Sequence, residues 1–117
     1  MATLQRILIV EDDAIIGMLL EEYILMMERE PVAVVDSVAP ALARISEGGI
    51  DAAIVDVHLA DGGMCDSIAL ALADADIPFI IATGGFTGAL GAVWQNRPVL
   101  AKPFTLDSLR RTLGALG

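Results

Sequence analysis

The chain has 117 residues, room for one domain spanning 1–117, and is 56% hydrophobic but only 4% aromatic, so an aliphatic core is expected. Sixteen acidic residues against seven basic give a formal charge of −9, which argues against nucleic-acid binding and favours partners with basic surfaces. No apolar run approaches the roughly 20 residues that cross a bilayer, and the lone Cys65 cannot form an internal disulfide, so a cytoplasmic protein without a membrane partner is expected.

In chain order, the first apolar run is "RILIV", which stops at three consecutive acids, Glu11, Asp12 and Asp13. "DAIIGMLLEEYILMMERE" follows with helical spacing: Ile15, Leu19, Tyr23 and Met26 recur at three- and four-residue steps, and Met18, Met26 and Met27 read as core filler. Asp13 reads as the start of this helix. "VAVVDSV" is a second strand, and "VAPALARISEGG" a second helix, capped by Ser37 and ended by Gly48 and Gly49.

"DAAIVDV" is the third strand, "CDSIALALADAD" the helix after it, and "PFIIAT" the fourth strand. "GGFTGALGAVWQNR" holds four glycines, so a glycine-rich loop with at most a short helix is expected; Trp94 in it reads as a packing residue. "PVLA" is the fifth strand and "TLDSLRRTLGALG" the closing helix, with Thr105 as N-cap. The strand runs are nearly continuous in Val, Ile and Ala, as strands buried on both faces read. Five β-α repeats with one weakened helix predict a doubly wound α/β fold on a five-stranded parallel sheet.

In such a sheet the functional groups gather beyond the carboxyl ends of the strands. The first run ends at Glu11 and Asp12, the third at Asp56, the fourth at Thr83 and the fifth at Lys102. Clustered carboxylates raise one another's pKa unless a cation joins them, and hard oxygen ligands completed by water suit Mg²⁺. Lys102 and either the Thr83 hydroxyl or the Gly84 amide could hold phosphoryl oxygens. Asp56 then fits a carboxylate nucleophile, and the chemistry points to phosphoryl transfer.

The "VED" acids, the "DVHLADG" segment around Asp56, the "ATG" at Thr83 and the "KPF" at 102–104 occur in the order and approximate spacing of one family. Over essentially its whole length the sequence resembles the receiver domains of two-component response regulators. The resemblance implies the flavodoxin/CheY-like strand order 2-1-3-4-5. It implies that Asp56 accepts phosphate from a histidine kinase or histidine phosphotransfer protein. Asp12, Asp56 and the backbone carbonyl of His58 would bind Mg²⁺, with Glu11 assisting through water; Thr83 and Lys102 would bind the phosphoryl group. The bond before Pro103 is cis in many members.

Two positions depart from the pattern. Val99 stands where most receivers carry a rotating Tyr or Phe, and Ala60 replaces the usual Pro after the acceptor loop. "PFIIATGGF" is similar to the FATGUY subgroup of alphaproteobacterial receivers, with Ile81 in the phenylalanine's place and Phe86 standing in for the tyrosine. Thr83 and Phe86 are therefore the switch candidates.

A stand-alone receiver is expected, acting on a downstream protein target or as a phosphate relay or sink. It would be a stoichiometric acceptor with slow autodephosphorylation rather than an enzyme. The rivals are a receiver excised from a hybrid kinase or larger regulator, an interaction module that takes no phosphate, and a Mg²⁺-dependent phosphatase. The last needs a D-x-D motif that the adjacent acids of "VEDDAI" do not supply.

Overall fold

The computed structural model describes residues 5–56, 65–84, 92–94 and 97–116. Its elements in order are β1 (Arg6–Val10), α1 (Ala14–Met26), β2 (Glu30–Val35), α2 (Val38–Glu47), β3 (Ala52–Asp56), α3 (Cys65–Asp74) and β4 (Phe79–Thr83). A 3₁₀ turn (Ala92–Trp94), β5 (Val99–Ala101) and α4 (Leu106–Gly114) complete them. All strand pairs are parallel and the order is β2-β1-β3-β4-β5, the doubly wound arrangement expected from the repeats.

Strand alternation sends side chains into two cores. Leu8, Val10, Ala53, Val55, Phe79 and Ile81 face α2 and α3, meeting Ala41, Ile45, Ile68 and Leu72. Ile7, Ile9, Ala52, Ile54, Ile80 and Leu100 face the opposite way and meet Leu20 and Ile24 of α1 and Leu109 and Leu113 of α4. Both cores are aliphatic apart from a few rings, as the composition requires.

Between β4 and β5 the described residues hold only the 3₁₀ turn, where the other crossovers carry helices of ten to thirteen residues. Trp94 is its anchor: the ring is 2% exposed and packs edge-on against Phe79, with centroids 5.8 Å apart. Arg97 lies over the same Phe79 ring at 4.2 Å. His58 and Phe86 lie outside the described residues.

Two local expectations are corrected. The buried face of α1 is Gly17, Leu20 and Ile24, whereas Ile15, Met18, Leu25 and Met26 are exposed; only Met27 of the three methionines packs as filler. This helix is apolar nearly all round, so spacing fixed its pitch but not which face turns inward. Ser37 stands at the N-cap of α2 but makes no capping bond; its hydroxyl donates to Asp36 Oδ1 at 3.1 Å. Helices α1 and α3 end without glycine: Glu28 and Asp76 take the left-handed conformation (φ 60° and 58°) that glycine usually supplies there.

Candidate functional site

Register carries the acids to one rim. In the β1–β3 pair Val10 lies opposite Val55, so Glu11 and Asp56 follow as neighbours at the strand ends. Asp56 pairs with Ala82 on β4, one residue before Thr83, and the Lys102 amide donates to the Thr83 carbonyl at 2.8 Å. The Glu11 amide is held by the Val35 carbonyl at 2.9 Å. Every group singled out at the strand ends thus inherits its place from the sheet itself.

Glu11, Asp12 and Asp56 each bring a carboxylate oxygen within 4.8 Å of the others. Glu11 and Asp56 are buried, at 2% and 3% exposure, and Asp12 is half-buried. Lys102 Nζ reaches into the cluster, 2.8 Å from Glu11 Oε1 and 3.2 Å from Asp56 Oδ2. Gly84, the residue after β4, lies beside it: an added Cβ there would sit 3.8 Å from Lys102 Cβ. Thr83 is buried at the end of β4. The Lys102–Pro103 peptide is cis.

One lysine does not balance three acids. Burial, joined by the nearby Asp56 carboxylate, pushes the Glu11 carboxyl from an ordinary 4.5 up to about 7, against the opposing pull of Lys102 and the Asp13 amide. Burial pulls Lys102 downward, but the two carboxylates outweigh it and hold the ammonium above its usual range. Among the described residues Glu11 Oε1 is buried yet lies outside hydrogen-bond geometry with every donor, Lys102 included. A hard, oxygen-only donor set with surplus negative charge and an unsatisfied carboxylate oxygen fits Mg²⁺.

Asp13 does more than begin a helix. Its carboxylate accepts from the amides of Ile15 and Ile16 at 2.9 and 3.2 Å, capping α1. Its own amide donates to Glu11 Oε2 at 3.2 Å and so orients the buried acid. A spacing argument assigned Asp13 only the cap, because a backbone donor carries no side-chain signature.

The whole chain superposes on solved structures. SdrG from Sphingomonas melonis Fr1 is 49% identical over 99% of this chain and 98% of its own, with a TM-score of 0.88. The response regulator PhyR from Brucella abortus is 25% identical over 97% of this chain and 48% of its own, with a TM-score of 0.82. The signal receiver domain of a modulated diguanylate cyclase from Desulfovibrio desulfuricans G20 shares the fold, with a TM-score of 0.83 at 24% identity over 97% of this chain and 94% of its own. The chain belongs to the receiver-domain family of response regulators. SdrG is also known in a BeF3-activated conformation, described from Pseudomonas melonis Fr1, to which this receiver is 47% identical over 99% of this chain and 98% of the other (TM-score 0.83). No protein-family model and no curated protein sequence matches this receiver. Family membership supports a phosphoacceptor role, and the acids at its strand ends could bind a metal as receivers do.

Proposed function

We propose that this receiver takes a phosphoryl group from a phosphohistidine on a histidine kinase or histidine phosphotransfer protein, with Asp56 as the acceptor. The observation that carries the reading is the convergence of Asp56, Asp12, Glu11 and Lys102 at adjoining strand ends, with buried Thr83 beside them. A carboxylate oxygen of Asp56 attacks phosphorus, the P–N bond to the donor imidazole breaks, and its electron pair stays on the imidazole nitrogen. Lys102 leaves its ion pairs to hold a phosphoryl oxygen, and the Thr83 hydroxyl and Gly84 amide hold others. Mg²⁺ held by Asp12, Asp56 and the His58 backbone carbonyl, with Glu11 through water, would neutralise the charge that gathers on the transferring group.

The reaction is stoichiometric, which makes the protein a switch or relay rather than an enzyme, and slow hydrolysis resets it. The signal passes to a downstream protein target. With Val99 aliphatic and half-exposed on β5, an aromatic at that position cannot report the event. The report falls to the segment after Thr83, including Phe86, as in the FATGUY pattern of "PFIIATGGF". The donor meets the rim formed by the acids and by the exposed apolar Ile15 and Met18 next to them. A cytoplasmic site of action accords with the described residues, none of whose helices is long and apolar enough to cross a membrane.

Phosphotransfer profiling against the kinases and phosphotransfer proteins of the source cell, with and without Asp56→Ala, tests this reading. Label must reach the wild type and not the variant. Labelling of both, or of neither under acetyl phosphate and Mg²⁺, defeats it.

A further inference from the structure

The charge of this receiver is not spread evenly. Residues 97–117 hold four of its seven basic residues and one of its sixteen acids, a formal +3 against −12 for the rest of the chain. This stretch contains β5, the strand at one edge of the sheet, and α4. Where β5 meets β4, the Pro98 carbonyl accepts from the Ile81 amide at 2.9 Å and the Lys102 amide donates to the Thr83 carbonyl at 2.8 Å. Ile81 lies opposite Val99 and Thr83 opposite Ala101. Backbone groups of a strand alternate in direction, so Leu100 turns its amide and carbonyl to β4 while Val99 and Ala101 turn theirs outward. No described residue hydrogen-bonds those outward groups.

Beside this edge runs an open groove of about 490 Å³, with Val99 and Ala101 on one side and Ser108, Arg111, Thr112 and Ala115 on the other. The Ser108 and Thr112 hydroxyls donate to the Thr105 and Ser108 carbonyls, which leaves that wall small and internally satisfied. Its charge is Arg111, whose side chain is 75% exposed and only loosely paired with Asp107 at 3.7 Å. The opposite edge strand, β2, carries Pro31 and a register irregularity against β1, and it lies in the acidic part of the chain.

We propose that the outer edge of β5 takes an extended, acidic segment of a protein partner as a further strand. The amides and carbonyls of Val99 and Ala101 bond its backbone, alternate side chains lie along the groove, and Arg111 pairs with a carboxylate there. Pro98 and Pro103 bound the window, so backbone pairing is short and charge must add to it. Charge also selects the occupant. A basic segment meets the positive stretch, and a second copy pairing edge to edge brings two such stretches together. The binding uses neither Asp56 nor the acids beside it, so it stands or falls apart from the phosphoacceptor reading.

The probe is a short capped peptide alternating valine with glutamate, titrated to millimolar concentration into the ¹⁵N-labelled full chain. It should shift the Val99 and Ala101 amides and slow their hydrogen exchange about tenfold at high occupancy, while Leu100, already bonded to β4, keeps the protection it has. The same peptide with lysine for glutamate, or N-methylated at alternate residues, should leave all three amides unmoved. Arg111→Glu and Val99→Pro should each weaken binding about tenfold, the scale of one hydrogen bond. Proline is tolerated at Val99 because the amide it removes faces away from β4. Val99→Thr, which keeps that amide, should bind as the wild type does. Equal binding of the glutamate and lysine peptides, shifts confined to α4 with Val99 and Ala101 unprotected, or no response to the glutamate peptide overturns the proposal. Protection of Val99 and Ala101 that grows with protein concentration alone assigns the edge to a second copy and overturns it as well.

Discussion

Lys102 Nζ stands 2.8 Å from Glu11 Oε1, yet among the described residues that buried oxygen receives no directional hydrogen bond. The lysine compensates charge without satisfying geometry, since the same ammonium also donates to Asp56 at 3.2 Å. A group divided in this way can be released to a phosphoryl oxygen at small cost once another cation shares the acids.

The first consequence is a dependence on pH. Glu11 titrates near 7 in the folded protein and near 4.5 when unfolded, so between those values the folded state holds the extra proton. Without metal its contribution is therefore lost as pH rises from about 4.5 to about 7, where the buried carboxylate must ionise. Mg²⁺ binding must displace that proton, so its affinity should rise about tenfold per pH unit until about pH 7 and then level. Thermal melts from pH 5 to 8 should show a Mg²⁺-induced gain in Tm that grows with pH. Glu11→Gln should flatten that growth.

Lys102→Met keeps the aliphatic stem and removes the charge. Without Mg²⁺ at pH 8 it should cost about 2 kcal/mol, less than the loss of a fully buried partner because the lysine is 18% exposed. Mg²⁺ should recover most of this, while phosphotransfer to Asp56 stays severely reduced. Denaturant melts with and without MgCl₂, set beside phosphotransfer rates, check the split. A variant that stays equally unstable in saturating Mg²⁺ contradicts the charge argument.

The two capped helices give a matched comparison. Thr105 accepts from the Ser108 amide at 3.1 Å within a capping box on α4, and Asp13 caps α1. Alanine at either position should cost about 1 kcal/mol. Only Asp13→Ala should also weaken Mg²⁺ binding, because the Asp13 amide orients Glu11 and its placement follows the cap. Calorimetric Mg²⁺ titration of both variants decides between a shared and a local role.

These sites differ in how far the sequence reveals them. Glu11, Asp56, Thr83 and Lys102 were legible because buried parallel strands read as unbroken Val, Ile and Ala runs, and polar residues mark where they stop. The inward face of α1 was not, since Ile15, Met18 and Met26 are as apolar as Leu20 and Ile24, which are buried in their place. The hydrogen bond that the Trp94 indole N–H donates to the Asp66 carboxylate on α3 joins segments with no common periodicity and leaves no mark on either. Likewise the left-handed ends at Glu28 and Asp76 are set by where the next strand must start, against local preference.

The apolar face that periodicity misplaced supplies the last prediction. Ile15 is 77% exposed and Met18 57%, and Met18 borders an open groove of about 660 Å³ that also takes in Glu11, Asp12, Glu21 and Asp36. Helix α1 carries no basic residue, so a protein donor placing its phosphohistidine at Asp56 meets an apolar patch ringed by acids. Ile15→Asp puts a charge where that donor must desolvate the surface, and should slow phosphotransfer from the protein donor at least tenfold, on the scale of a lost apolar anchor. Acetyl phosphate is too small to touch Ile15, so its labelling of Asp56 should remain at the wild-type rate, as should the Tm of so exposed a position. Equal losses with both donors would place Ile15 in the chemistry of the site. Equal retention would remove α1 from the docking surface.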